Sequence, residues 1–204
     1  MDRKEHLIAT ALETFRHQGI HAVGINQLLS DAGVSKKTMY NHFESKEELV
    51  AATVDLFDER YFEWMEARLG AVASGEAAIK AFFDALDDLI NSQDPAIHDF
   101  NGCYLVNASA EFQEGHLVRE KCAASKRKTV DLIRSHLTEL CFEANVLEEA
   151  ADAIFMLSEG AVVQAYVMGD RSSARAAGKA ATRLINSWKA ETRPGRDTTR
   201  SNTF

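Results

Sequence analysis

The chain has 204 residues, 46% of them hydrophobic and 26% charged, with a formal net charge of -8. That length and apolar content suit a soluble globular protein with one sizeable core or two modest ones. No uninterrupted apolar run approaches the 18 or so residues of a membrane span. Charges at Asp2, Arg3, Lys4 and Glu5 replace a signal-peptide pattern, so the chain is expected in the cytoplasm. The negative charge argues against a nucleic-acid partner until it is partitioned. Residues 1 to 46 carry six Lys or Arg against five acids, so the acidic excess belongs to the remainder.

Only two prolines, Pro95 and Pro194, and a scarcity of alternating patterns predict an all-α fold. The first helix shows the apolar series Leu7, Ile8, Ala11, Leu12 and Phe15 before Gly19. Ile25, Leu28, Leu29 and Ala32 then recur at i, i+3, i+4 and i+7, a second short helix ended by Gly33. Ser35 is placed to cap a third helix, with Val34 and Met39 as a hydrophobic staple that sets its angle of approach. That helix, Lys36 to Phe43, leaves Lys36, Lys37, Thr38, Asn41 and His42 facing outward, while Tyr40 and Phe43 can pack. Ser45 and Glu48 form a capping box for the next helix, whose first turn carries Lys46. A cation there opposes the helix dipole, a misfit that a bound phosphate would turn to advantage.

Residues 7 to 57 resemble the DNA-binding domain of the TetR family of bacterial transcriptional regulators. The likeness rests on that first-helix series, on Gly19, on the run from Ala32 through Phe43, and on Ser45-Lys46-Glu47-Glu48-Leu49. It implies that the third helix enters the major groove, with Lys37, Tyr40 and Asn41 on the DNA face and Thr38, His42 and Lys46 near phosphates. Two residues depart from the family pattern. Gly24 stands where a capping Ser or Thr is usual, and Asn26 where a longer polar or basic residue is common.

The helix begun at Ser45 is predicted to run through Thr53, Phe57, Tyr61 and Trp64 to about Leu69, some 35 Å at 1.5 Å per residue, linking the reading head to the body. Further helices are expected from about Gly75 to a stop before Asp94-Pro95, from Gly102 to Phe112, and from His116 to Glu143. Residues 147 to 169 are apolar on nearly every face and must be covered all round. The last helix, about 172 to 191, carries Ala177, Gly178 and Ala181, small enough for a close helix approach. The sum is about nine helices: a head over 1–47, a ligand-binding and dimerisation domain over 48–192, and a tail over 193–204 without apolar periodicity. The last two helices either complete a monomer core or form a four-helix seam between two copies, as the resemblance implies. A dimer would offset the weak charge of one head and read a palindromic site.

The resemblance also implies a small-molecule pocket in the body. Its candidate walls are Phe62, Met65, Phe82, Phe83, Leu86, Tyr104, Phe112, Phe155 and Met156, with Asn107, Glu111 and Glu159 as polar contacts. On this reading the protein is a repressor released from operator DNA by an inducer. An alternative is a regulator that senses electrophiles or oxidants through Cys103, in a Gly102-Cys103-Tyr104-Leu105 run similar to one in several TetR-type proteins. Cys122 and Cys141, on one predicted helix, lie too far apart to pair. His116 and Glu120 could ligate a cation, but two ligands do not make a metal site. No phosphate loop, nucleophile motif or zinc box is found, so no metal, cofactor or enzyme activity is expected. A helical enzyme and a DNA-independent dimeric binding module are the remaining alternatives.

Overall fold

The computed structural model describes residues 2–93 and 99–191. The expected stop at Asp94-Pro95 and the tail 193–204 lie outside them. Every regular element among the described residues is helical: α1 Arg3–Gln18, α2 Ile25–Asp31, α3 Lys36–Tyr40, α4 Lys46–Gly70, α5 Glu76–Ile90, α6 Tyr104–Ala110, α7 Leu117–Leu137, α8 Ala144–Met168 and α9 Ser173–Glu191.

Caps explain most of the boundaries. Asp2 and Glu5 form a reciprocal capping box on α1. Ser35 accepts the Thr38 N–H at 3.1 Å, and Ser45 the Glu48 N–H at 3.1 Å. Gly33, at φ 60°, lets the Val34 N–H return to the Leu29 carbonyl at 2.9 Å, and so turns α2 into α3. α3 is shorter than its sequence pattern suggests: Asn41 caps it, and Phe43 folds back into the core beyond its end.

The expected long helix from His116 to Glu143 is corrected. α7 stops at Leu137, a single 3-10 turn follows at Thr138–Leu140, and Cys141 takes a left-handed conformation at φ 55°. Cys122 and Cys141 therefore do not share a helix.

Two cores are distinguishable. The first gathers Leu7, Leu12, Phe15, Leu28, Met39 and Leu49 with Tyr104 and Leu105 of α6 and Val118 of α7, so that α6 is packed into the head. The second joins Met65, Ile79, Phe82, Phe83, Ile133 and Ile154 to an alanine seam, Ala150, Ala151, Ala161, Ala165, Ala174, Ala177 and Ala181, between α8 and α9. α4 contributes to both. At Gly178 of α9 an added Cβ would lie 2.9 Å from the Cβ of Phe83, so α5 and α9 meet where only glycine fits. α8 is long and apolar enough by composition to cross a membrane, yet one side of it packs on α7 and α9. Its other side presents Met156, Val163, Tyr166, Val167 and Met168 to solvent, the last two 73% and 74% exposed.

Candidate nucleic-acid interface and effector cavity

The outward side of α3 is polar and open. Lys36, Lys37, Asn41 and His42 are exposed, and Tyr40 is 48% exposed although it is a large aromatic. Lys36 Nζ lies 5.9 Å from the centre of the Tyr40 ring, and Thr38 Oγ1 is 2.8 Å from Ser35 Oγ. Met39, fully buried, pins the opposite side. The helix is short, rigidly seated and rich in donors, which is what reading a groove edge requires.

Lys46 has another role from the one its sequence position suggests. Its ammonium is turned inward, donating to the carbonyls of Ile20 at 2.5 Å and Val23 at 2.6 Å above the Phe15 ring. Burial pulls its pKa below the ordinary lysine value, against the opposing influence of Glu111 and Glu47. It braces the α1–α2 turn from inside. Gly24 caps α2 through backbone alone, and Asn26 is exposed.

Between head and body lies a partly open cavity of about 620 Å³. Its aromatic walls are Phe57, Tyr61 and Trp64 of α4 and Phe100 of the stretch before α6. One polar wall is the pair Lys126–Glu159, with Lys126 Nζ 2.7 Å from both carboxylate oxygens and 3.3 Å from Cys103 Sγ. Burial would lower the Lys126 pKa, but Cys103 and Glu159 outweigh it and hold the ammonium above its ordinary value. The opposite wall is formed by Leu12, Glu13 and Arg16 of α1, so the reading head itself lines the cavity.

Of the residues expected from sequence to line a pocket, Leu86 and Glu159 do so, and the redox candidate Cys103 joins them. The others sit elsewhere. Phe82 and Phe83 are core, their rings edge to face at 5.5 Å. Tyr104 is buried with its hydroxyl 2.6 Å from Thr53 Oγ1. Phe62 lies under the Lys128 ammonium, Phe155 beside that of Lys126, and Asn107 donates to the Asn101 carbonyl at 3.5 Å. Glu111 grips the α1–α2 turn, accepting from the Ile20 N–H at 2.7 Å and the His21 N–H at 2.6 Å, with His21 Nδ1 also 2.7 Å away. His116 accepts from the Val118 N–H and stacks on Phe112, a capping and packing role. Sequence reasoning missed Arg16, Phe57, Tyr61, Trp64 and Phe100 as wall residues. The aromatic run of α4 was the available signal.

A capped three-helix head, its tight glycine turn and its exposed third helix define a helix-turn-helix DNA-binding protein. Residues 7–53 match the bacterial regulatory proteins of the tetR family. Residues 7–53 are therefore similar to the DNA-binding domain of that family of transcriptional regulators. It is 26% identical to the transcriptional activator FasR of Mycolicibacterium smegmatis over 72% of this chain and 62% of that protein. It is 29% identical to the transcriptional repressor NemR of Escherichia coli over 54% of each. The chain thus spans less than two thirds of either relative. A TetR-family regulator from Streptomyces coelicolor has the same fold, with a TM-score of 0.80 at 24% identity over 92% of this chain and 90% of that one. The reduced form of E. coli NemR has it too, with a TM-score of 0.75 at 21% identity over 90% and 97%. These relatives are regulators and not enzymes.

Proposed function

We propose that the protein is a homodimeric repressor in the cytoplasm that binds a palindromic operator and is released by a small-molecule inducer. Lys36, Lys37, Tyr40 and Asn41 are the residues proposed to meet the DNA, with Thr38 and His42 toward the phosphates, in a head comprising 1–47. The body, 48–192, is proposed to bind the inducer in the cavity and to dimerise through α8 and α9. The observation that carries this reading is that α1 walls the cavity, so an occupant touches head and body together. A ligand shifts an equilibrium only by its difference in affinity for the two states, and a cavity walled by both head and body is placed to supply such a difference. The apolar outer side of α8 supports the dimer, since patches of that kind mark interaction surfaces. The name of NemR supports repression.

Selected-site binding with random duplexes tests the reading. The expected product is a palindrome with half-sites near one helical turn, roughly 34 Å, apart. Recovery of no palindrome, or undiminished binding by Lys37→Ala with Tyr40→Ala, would sink it.

A second reading is favoured by one contact. The Cys103 thiol opens on the cavity with the Lys126 ammonium 3.3 Å away, so an electrophile admitted there meets a thiol whose ionised form has a cation beside it. Loss of operator binding on treatment with an alkylating agent, abolished in Cys103→Ser, is the expected result. An unchanged response in that variant excludes thiol sensing.

A further inference from the structure

Among the described residues the cavity is lined by three acids, Glu13, Glu63 and Glu159, and three bases, Arg16, Arg60 and Lys126. The charges therefore balance, and the two least exposed cations are already engaged. Lys126 directs its three N–H bonds to the two Glu159 oxygens, each at 2.7 Å, and to Cys103 Sγ at 3.3 Å. Arg16, with a side chain only 12% exposed, lies 3.5 Å from Glu13 and donates to the Asp99 carbonyl at 3.2 Å. Arg60 and Glu63, about one turn of α4 apart, are both exposed. Inside the cavity an anionic occupant would have to displace Glu159 or Glu13, and a cationic one Lys126 or Arg16. A charge taken from water without a partner of its own is strongly disfavoured.

The aromatic walls point the same way. The rings of Phe57 and Tyr61, one turn apart on α4, are nearly parallel at 9° with centres 6.2 Å apart, and suit a flat occupant. The other two rings are each backed by an arginine that is not itself a wall residue. Arg68 lies 5.7 Å from the centre of the Trp64 ring, and Arg171 5.5 Å from that of Phe100. A ring with a cation on one face is a poorer host for a second cation on the other, while a neutral aromatic packs there without that penalty.

One hydroxyl is left to orient such an occupant. Ser158 Oγ donates to the Phe155 carbonyl at 2.7 Å and Thr129 Oγ1 to the Ser125 carbonyl at 3.4 Å. The hydroxyl of Tyr61, the third hydroxyl-bearing wall residue, has no hydrogen-bond partner among the described residues. Burial first, then the nearby Cys103 and Glu159, push its pKa above the ordinary phenol value, so it remains a donor. An acceptor oxygen on the occupant supplies the partner that a desolvated O–H requires.

We propose that the cavity takes an uncharged aromatic compound bearing a neutral acceptor oxygen, such as a ring-conjugated ketone, and that the Tyr61 hydroxyl donates to that oxygen. The proposal rests on the reading of the cavity as the effector site and names the chemical class of the effector.

The test is equilibrium dialysis of the full chain at neutral pH against four probes sharing one ring system: 2-acetylnaphthalene, 2-ethylnaphthalene, 2-naphthoate and 2-naphthylmethylammonium. The ketone should bind at least about tenfold more tightly than either ion. Tyr61→Phe removes one oxygen and should weaken the ketone about threefold to tenfold while changing the ethyl compound less than about twofold. Its denaturant unfolding curve should not move, because the hydroxyl holds no other described residue. An ion that binds as tightly as the ketone overturns the proposal, as does a ketone that does not bind. An equal loss of ketone and ethyl compound in Tyr61→Phe also overturns it, since the ring alone would then account for the effect. If the ketone binds as expected but leaves operator affinity unchanged, the ligand class stands and the effector reading falls.

Discussion

The two cores are built in opposite ways. The head buries large side chains, Leu7, Phe15, Leu28, Met39 and Phe43, and turns lysines, an asparagine and a histidine outward. The α8–α9 pair buries chiefly alanines, with Ile154, Ile185 and Trp188 as its large buried side chains, and turns Met156, Val163, Tyr166, Val167 and Met168 outward. Hydrophobic stabilisation follows the apolar area removed from water, so a helix that leaves this many large apolar residues in solvent is unfinished as a monomer surface. The head is suited to a charged, hydrated partner, and the pair to an apolar one.

The sharpest way to break this contrast is Val167→Glu with Met168→Glu. If the outer side of α8 faces a second copy, the double variant should sediment as a monomer and lose operator affinity by about 10²-fold or more, because the second head no longer binds at high effective concentration. An unchanged sedimentation coefficient would return α8 and α9 to the monomer core. A smaller effect is expected where the pair packs inward. Gly178→Val forces a Cβ against Phe83 and should cost about 1–3 kcal/mol in denaturant unfolding, the usual penalty of overpacking. In the head, Ser35→Ala removes the α3 cap and should cost about 1 kcal/mol, read from the same unfolding curve. The mildest effect is on pH. Glu111 has a depressed folded pKa, so its grip is complete above the unfolded value of 4.5 and is lost as pH falls through the lower folded value. Exchange at the Ile20 and His21 amides should thus be flat from pH 7 to 5, after correction for intrinsic rates, and accelerate below that window. Acceleration already at pH 6 would exclude the carboxylate as the group responsible.

The head was legible in the sequence because its boundaries are chemical. Ser35, Gly33 and Ser45 act locally, through one hydrogen bond or one dihedral, and local rules read them. The end of α7 was not legible. The apolar spacing of Val130, Ile133, Leu137 and Leu140 continues past the break, and the left-handed residue that ends the 3-10 turn is Cys141 where glycine would have advertised it. The cavity was legible only in part for a different reason. Periodicity identifies which side of a helix is covered, but a cavity forms where covered sides diverge. Phe82 and Phe83 on α5 and Phe57 and Tyr61 on α4 are all aromatic residues on covered sides of their helices, yet only the second pair borders the void. Glu111 was expected from sequence as a polar ligand contact among apolar walls, and the partners it actually holds lie some ninety residues away in the chain.

The inward turn of Lys46 has an electrostatic corollary. Of the six basic residues in 1–46, Lys46 is spent on two carbonyls and Arg16 on the cavity wall, leaving Arg3, Lys4, Lys36 and Lys37 to meet phosphates. If every one of them did so in a two-headed complex, counterion release would give a slope of log affinity against log salt no steeper than roughly -7. With so few condensed ions to expel, discrimination must draw on base-edge hydrogen bonds and shape.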